Sequence, residues 1–460
     1  MKKIKKIARV SLGIWLVFGA GAALSGEEAK PMTLTVDQAV DLALENNIQL
    51  TSAGIDLRMK KRDADFAWNS FLPSVQATGT LFRSNMSEMT VNNYQVVMGS
   101  YVVPVPMTVE LEEKDRWRAM AGLSATLNLN IALFDGLKAT RQGYEAGEIS
   151  WLQAKQQTEQ NVKKAFYGIL IQEEALRLAK EKLATSEERL RQAQTNFRNG
   201  LVPELAYLQA QLGVETQKPS IKESELGLTQ NKAMFVFLIG LPIGTEVELS
   251  GSINPSISDL DADELVKNHL ADRLDLQALR KNTELLKTQV RATKFQLYTP
   301  SLSLSQSFSP ALSAIDADWL NADNWTDSSG GFSATLAFNL TNALPFSAQG
   351  QNLRDLKDSV AKLELTWKQA ADNAELEIRN LVRKLEKSSA SIEAMNLNVK
   401  IAQKAYSLSE QGYRAGTVEW LDLKDAENTL MQAQLGLLSE EFTYLSTRLD
   451  LEAAINAKLD

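Results

Sequence analysis

The chain has 460 residues, a formal net charge of −8, a single histidine and no cysteine. Those counts exclude disulfides, thiolate metal sites and a lipid anchor on cysteine, and they leave no histidine-based triad, metal site or proton relay. The sequence has no GxxxxGK[ST] or GxGxxG loop to cradle a phosphate or dinucleotide. An acidic chain is also a poor partner for nucleic acid. An enzyme here would have to work with carboxylates alone, so no enzymatic activity and no cofactor is expected.

In chain order, Lys2, Lys3, Lys5, Lys6 and Arg9 precede an apolar run from Val10 to Leu24 that ends among small residues. This is the pattern of a secretory signal peptide, assigned to residues 1–25. Its removal takes away five basic and no acidic residues, moving the charge from −8 to −13. No later apolar stretch approaches the roughly 18 residues of a helical membrane span, so any crossing of a bilayer must use strands.

The rest reads as two copies of one plan, residues 26–250 and 251–460. Gly122-Leu-Ser-Ala-Thr-Leu-Asn-Leu-Asn130 aligns with Gly331-Phe-Ser-Ala-Thr-Leu-Ala-Phe-Asn339, and Phe197-Arg-Asn-Gly-Leu-Val202 with Tyr413-Arg-Ala-Gly-Thr-Val418. Each copy opens with a helix, about Thr35 to Phe71 and Asp261 to Tyr298, closed by Pro73 or Pro300. Alternating segments follow at about 74–82 and 121–133, then 301–309 and 331–340. One face is apolar (Leu123, Leu127, Leu302, Leu304, Leu336) and the other carries Ser, Thr and Asn (Thr126, Asn128, Ser303, Ser305, Thr335). A soluble sandwich would alternate too, but strands of this length with an uncharged polar face suit a membrane barrel better. The connections Arg83–Ala119 and Ser309–Gly330 read as long loops, with Trp117, Trp319 and Trp325 near strand ends where interfacial aromatics sit.

After each strand pair comes a proline-free heptad stretch. Val162, Ile169, Leu176, Leu183, Leu190 and Phe197 form one row, and Ile378, Leu385, Ile392, Val399, Tyr406 and Tyr413 its counterpart. Gly200 and Gly416 stop these long helices, and a second amphipathic helix returns from each, about 203–238 and 418–449. Four strands cannot close a barrel. Eight from two chains would be plugged by their own side chains, whereas twelve from three chains leave a bore. A non-conducting coiled-coil spacer explains the heptads but not the strands.

At this point the chain resembles the TolC-like family of outer-membrane efflux proteins. The motifs are Leu34-Thr-Val-Asp-Gln-Ala-Val-Asp-Leu-Ala-Leu-Glu-Asn-Asn47, Phe71-Leu-Pro-Ser74, Phe134-Asp-Gly136 and Leu238-Ile-Gly-Leu-Pro242, in family order over essentially all the mature chain. The resemblance implies an α-dominated chain with a membrane β-barrel, in which a homotrimer shares one twelve-strand barrel and a twelve-helix periplasmic tunnel. It implies an outer-membrane exit duct for efflux or type I secretion, embedded in outer-membrane lipid. Its partners would be a periplasmic adaptor and, through that, an inner-membrane pump. The tips expected to meet the adaptor are Arg198, Gly200, Leu201, Val202, Arg414, Gly416, Thr417 and Val418. The expected periplasmic constriction is Asp422 and Asp425, with Tyr413 securing the closed state; Val418 replaces the family's basic lock partner. The first copy holds Ala206 and Gln209 where the second holds the two aspartates.

Overall fold

A computed structural model describes residues 32–98, 101–253, 260–312, 314–326 and 329–459. The expected signal peptide lies outside them. Strand β1 (Met32–Leu34) leads into α1 (Val36–Asn46) and α2 (Ile48–Asp65). The single helix expected to Phe71 is therefore interrupted. Asn47 is extended; its side-chain oxygen caps α2 at Leu50 N (3.0 Å) and its amide reaches Leu238 O (2.8 Å), a competition with helix that Asn favours.

Strands β2 (Ser74–Arg83) and β5 (Trp117–Leu129) flank a second surprise. The segment expected to be a loop contains β3 (Glu88–Met98) and β4 (Tyr101–Glu110), an antiparallel hairpin of its own. Where it leaves the sheet, Arg83 grips Glu113 with two hydrogen bonds (2.7 and 3.0 Å), and Glu113 also accepts from Arg116 and Trp117. β5 stops at Leu129 rather than 133 because Asn130 Oδ1 takes the amide of Ala132 (2.8 Å), starting α3 (Ala132–Arg198) earlier than expected. Apolar alternation cannot register that change, since Leu133 suits a helix as well as a strand.

The return helix of the first copy is split into α4 (Glu204–Glu215) and α5 (Gln217–Leu238). Pro219 has no N–H to give the carbonyl four residues back, at Glu215. Beyond β6 (Val247–Leu249), which pairs with β1, the second copy's opening helix is likewise broken into α6 (Ala262–His269) and α7 (Leu274–Tyr298). β7 (Ser301–Phe308) and β8 (Gly330–Ala337) follow, β8 ending three residues early. Then come α8 (Ala348–Arg414) and α9 (Trp420–Ile455), the latter running six residues past the expected end. α3 and α8 are each 67 residues long, about 100 Å at 1.5 Å per residue.

The main sheet has the order β2-β5-β7-β8, antiparallel throughout. Its register lines Ser74, Thr126, Ser305 and Ser333 into one row, and Asn128, Ser303 and Thr335 into another. Thr126 Oγ1 lies 3.3 Å from Ser305 Oγ. Rows of the opposite parity are apolar: Leu129–Leu302–Leu336 and Leu127–Leu304–Ala334. A sandwich would cover such a face with a second sheet, yet Phe332 is 66% and Leu336 70% exposed. Among the described residues the outer edges of β2 and β8 have no partner strand.

Below the sheet the helices form a side-by-side layer: α2, α3, α7 and α8 at the strand end, then α4 and α5, α3, α9 and α8 at the far end. The heptad rows face inward. Val162 and Ile169 lie in one core with Phe166, Phe235, Val236 and Ile239, and Ile378, Leu385 and Ile392 in another with Tyr444 and Leu451. Two buried serines in the seam are hydrogen-bonded, Ser186 by Gln217 (3.0 Å) and Ser388 on Glu440 (2.6 Å), as burial favours. The layer's two outer helices keep apolar stripes in the open: Leu205, Leu208 and Leu212 on α4, and Leu397, Ile401 and Leu408 on α8.

Candidate functional site at the helical tips

Both helical hairpins end in the same turn. The amides of Leu201 and Gly200 donate to the carbonyls of Asn196 (2.8 Å) and Phe197 (3.0 Å); those of Thr417 and Gly416 donate to Gly412 (2.9 Å) and Tyr413 (3.1 Å). These are Schellman caps. Gly200 and Gly416 have φ of +70° and +76°, and a Cβ on either would touch nothing within 4 Å. Glycine is needed for its backbone conformation, not for space. Arg198 and Leu201 are exposed and Val202 half-buried. Arg414 pairs with Glu410 (2.8 Å), and the Thr417 hydroxyl donates to Gly412 O (3.1 Å).

Val418 is folded inward: a Cβ on Gly412 would lie 2.5 Å from its Cγ2. Where the resemblance leads one to expect a basic partner, the turn holds an apolar plug. Tyr413 leans its ring on Trp420 (centroids 6.0 Å apart), and among the described residues its hydroxyl has no partner within the chain. In the first copy Phe197 stacks on Tyr207 at 5.8 Å. Asp422, in the first turn of α9, and Asp425 are exposed, and among the described residues neither forms an ion pair. Three residues apart, they share a helix face. The opposite face is buried through Leu423 and Glu427.

That buried face carries a charged cluster which the sequence alone did not single out. Arg189 on α3 gives Nη1 to Glu427 Oε1 (2.9 Å) and Nη2 to the Tyr406 hydroxyl (2.8 Å), with its guanidinium 5.9 Å from the ring centroids of both Tyr406 and Trp420. Lys424 takes the other oxygen of Glu427 (3.2 Å), and Lys182 reaches Asn428 (2.8 Å). Burial, helped by the nearby Lys424, pulls the Lys182 ammonium below its ordinary pKa, and burial pushes the Tyr406 phenol up. Arg189 and Glu427 stand eleven residues from Gly200 and Gly416 respectively, so their pairing sets the two tips level.

A sheet open at both edges, a layer of 67-residue helices and twin glycine tips meet a matching family description. The outer membrane efflux protein family matches residues 39–241 and 265–457. The chain belongs to that family. As an outer membrane efflux protein it is an exit duct for an efflux system, set in the outer membrane with a periplasmic tunnel. The toluene efflux pump outer membrane protein TtgC of Pseudomonas putida is 23% identical over 440 residues, 91% of this chain and 82% of that protein. Nodulation protein T of Rhizobium leguminosarum bv. trifolii is 23% identical over 269 residues; the match takes in 57% of this chain and spans 55% of that protein. The Campylobacter jejuni CmeC outer membrane channel superposes with a TM-score of 0.74 at 16% identity, covering 91% of this chain and 85% of that one, a likeness of fold alone.

Proposed function

We propose that the efflux duct is a homotrimer: three copies pool their sheets into one twelve-strand barrel and their helix layers into a twelve-helix tunnel. The observation that carries this reading is a sheet with hydroxyl-rich rows on one face, apolar rows half-buried to exposed on the other and, among the described residues, an open edge at each side. In an isolated chain such edges are costly in a bilayer, where unpaired backbone groups find no water. The helix layer supports the same closure, because its two outer helices carry different apolar stripes. That is a head-to-tail interface, which closes into a ring.

The tips Arg198, Gly200, Leu201, Val202, Arg414, Gly416, Thr417 and Val418 are the proposed docking surface for a periplasmic adaptor and through it an inner-membrane pump. Asp422 and Asp425 are the proposed constriction, with Tyr413 beside it. The name of the toluene efflux relative makes small apolar solutes the first cargo to test. A duct of this kind fractionates with outer membranes, requires detergent for release and restores solvent tolerance to a host lacking its own duct. Recovery of the full chain from the soluble periplasmic extract would favour a non-conducting spacer instead.

Docking has its own expected result. Valine at Gly200 or Gly416 must take a positive φ, which costs a β-branched residue on the order of 1–2 kcal/mol. The variant trimers should assemble while cargo export and adaptor cross-linking fall. Full export by the double valine variant would place docking elsewhere.

A further inference from the structure

We infer that Arg189 is a positioning residue for the constriction: it clamps the rear of the α9 segment whose front carries Asp422 and Asp425. The inference rests on the reading of those aspartates as the constriction.

Trp420, Lys424 and Glu427 interleave with the two aspartates in sequence and lie on the opposite face of the helix, about one turn apart. Arg189 touches the first and last of them, and Lys424 completes Glu427. Its fork also holds Tyr406, so one guanidinium joins α3, α8 and α9. Arg189 and Glu427 side chains are 9% and 8% exposed. Among the described residues theirs is the one ion pair joining the first turns of α9 to another helix. A buried pair of this kind is a weak source of stability but a strong determinant of register, because moving either partner leaves an uncompensated charge.

Among the described residues the turn itself supplies no charged tie across helices. Val418 is apolar, and Arg414 is spent on Glu410 of its own helix. The clamp also occurs once per chain: at the 216-residue offset of the tips, Arg189 corresponds to Ala405 and Glu427 to Gln211. Its arginine comes from the first copy, and it closes only on the α9 helix that holds the aspartates. Lysine could keep the charge but not the planar grip on Glu427 and Tyr406 together.

The test uses the full chain, purified as a trimer and inserted in planar bilayers, with block by lanthanum(III) as the readout. The wild-type channel should be blocked, and Asp422→Asn with Asp425→Asn should relieve the block. Arg189→Met should raise the half-blocking concentration roughly tenfold by turning the carboxylates off the axis, while the trimer survives. Arg189→Lys should restore the block in part. Arg189→Met with Glu427→Gln removes both charges of the buried Arg189–Glu427 pair and should be relieved as well, which separates positioning from the cost of stranding one of the two. If Arg189→Met fails to assemble, that double variant and Tyr406→Phe carry the test. Wild-type half-block in assembled Arg189→Met, or in both substitutes, overturns the clamp. A block that persists in the aspartate double variant overturns the constriction reading itself, and the clamp's role with it.

Discussion

Replacing Asp422 and Asp425 together by asparagine removes the channel's cation preference at neutral pH. In the proposed trimer three copies would bring six carboxylates around one axis, and a narrow passage lined by one sign of charge concentrates counterions by factors of about 10 or more. Both side chains are exposed on a single face of α9, and among the described residues no cation within the chain neutralises them. Asparagine keeps the volume and drops the charge. Reversal potentials across a salt gradient provide the measurement, and the first copy offers a control: Ala206 and Gln209 occupy the corresponding positions without charge, so Gln209→Asn should leave selectivity unaltered. Unchanged cation preference in the aspartate double variant would place the narrowest ring elsewhere.

Arginine at Leu304 prevents assembly, whereas arginine at the neighbouring Ser305 does not. Leu304 sits mid-strand in the row Leu127–Leu304–Ala334, and Ser305 in the row Ser74–Thr126–Ser305–Ser333. On a lipid-facing site near the bilayer centre an arginine costs about 2–4 kcal/mol, and a trimer bears that cost in every copy. On the lumen side the same guanidinium stays hydrated and should only reduce cation conductance. Heat-resistant trimer yield on gels reads the first effect and single-channel recording the second. Equal yields for the two variants would mean that the facing of the sheet is reversed or that its apolar rows do not meet lipid.

Much of this architecture was legible because it rests on periodicity. The two-residue alternation marked β2, β5, β7 and β8; the seven-residue clock marked α3 and α8, whose Val162 and Ile378 are fully buried. The glycines at 200 and 416 marked turns that need positive φ. Illegible were features that depend on single side chains acting against the local pattern. Asn47 looks like any helical asparagine until its amide finds Leu238 O, 191 residues away. Pro219 is a usable signal for the α4–α5 break, one that the reading of 203–238 as a single helix passes over. The β3–β4 hairpin follows directly from β2, where a long uncharged stretch between Glu88 and Glu110 could have suggested strands.

The site was legible in part and for a similar reason. Tip residues are local, so the stops at Gly200 and Gly416 followed from sequence. Arg189 and Glu427 are 238 residues apart, and an arginine beside a heptad row reads as a solvated flank. Only packing shows that α3 and α9 enclose it. The Val418 substitution was visible, but not that its side chain would fill the space beside Gly412.

In the proposed duct one chain supplies only part of the channel wall. The most direct test is the native mass of the detergent-solubilised full chain, taken from outer membranes. The expected particle holds three chains, with no stable monomer, because β2 and β8 must find partners. A monodisperse single chain that still conducts in bilayers would contradict it.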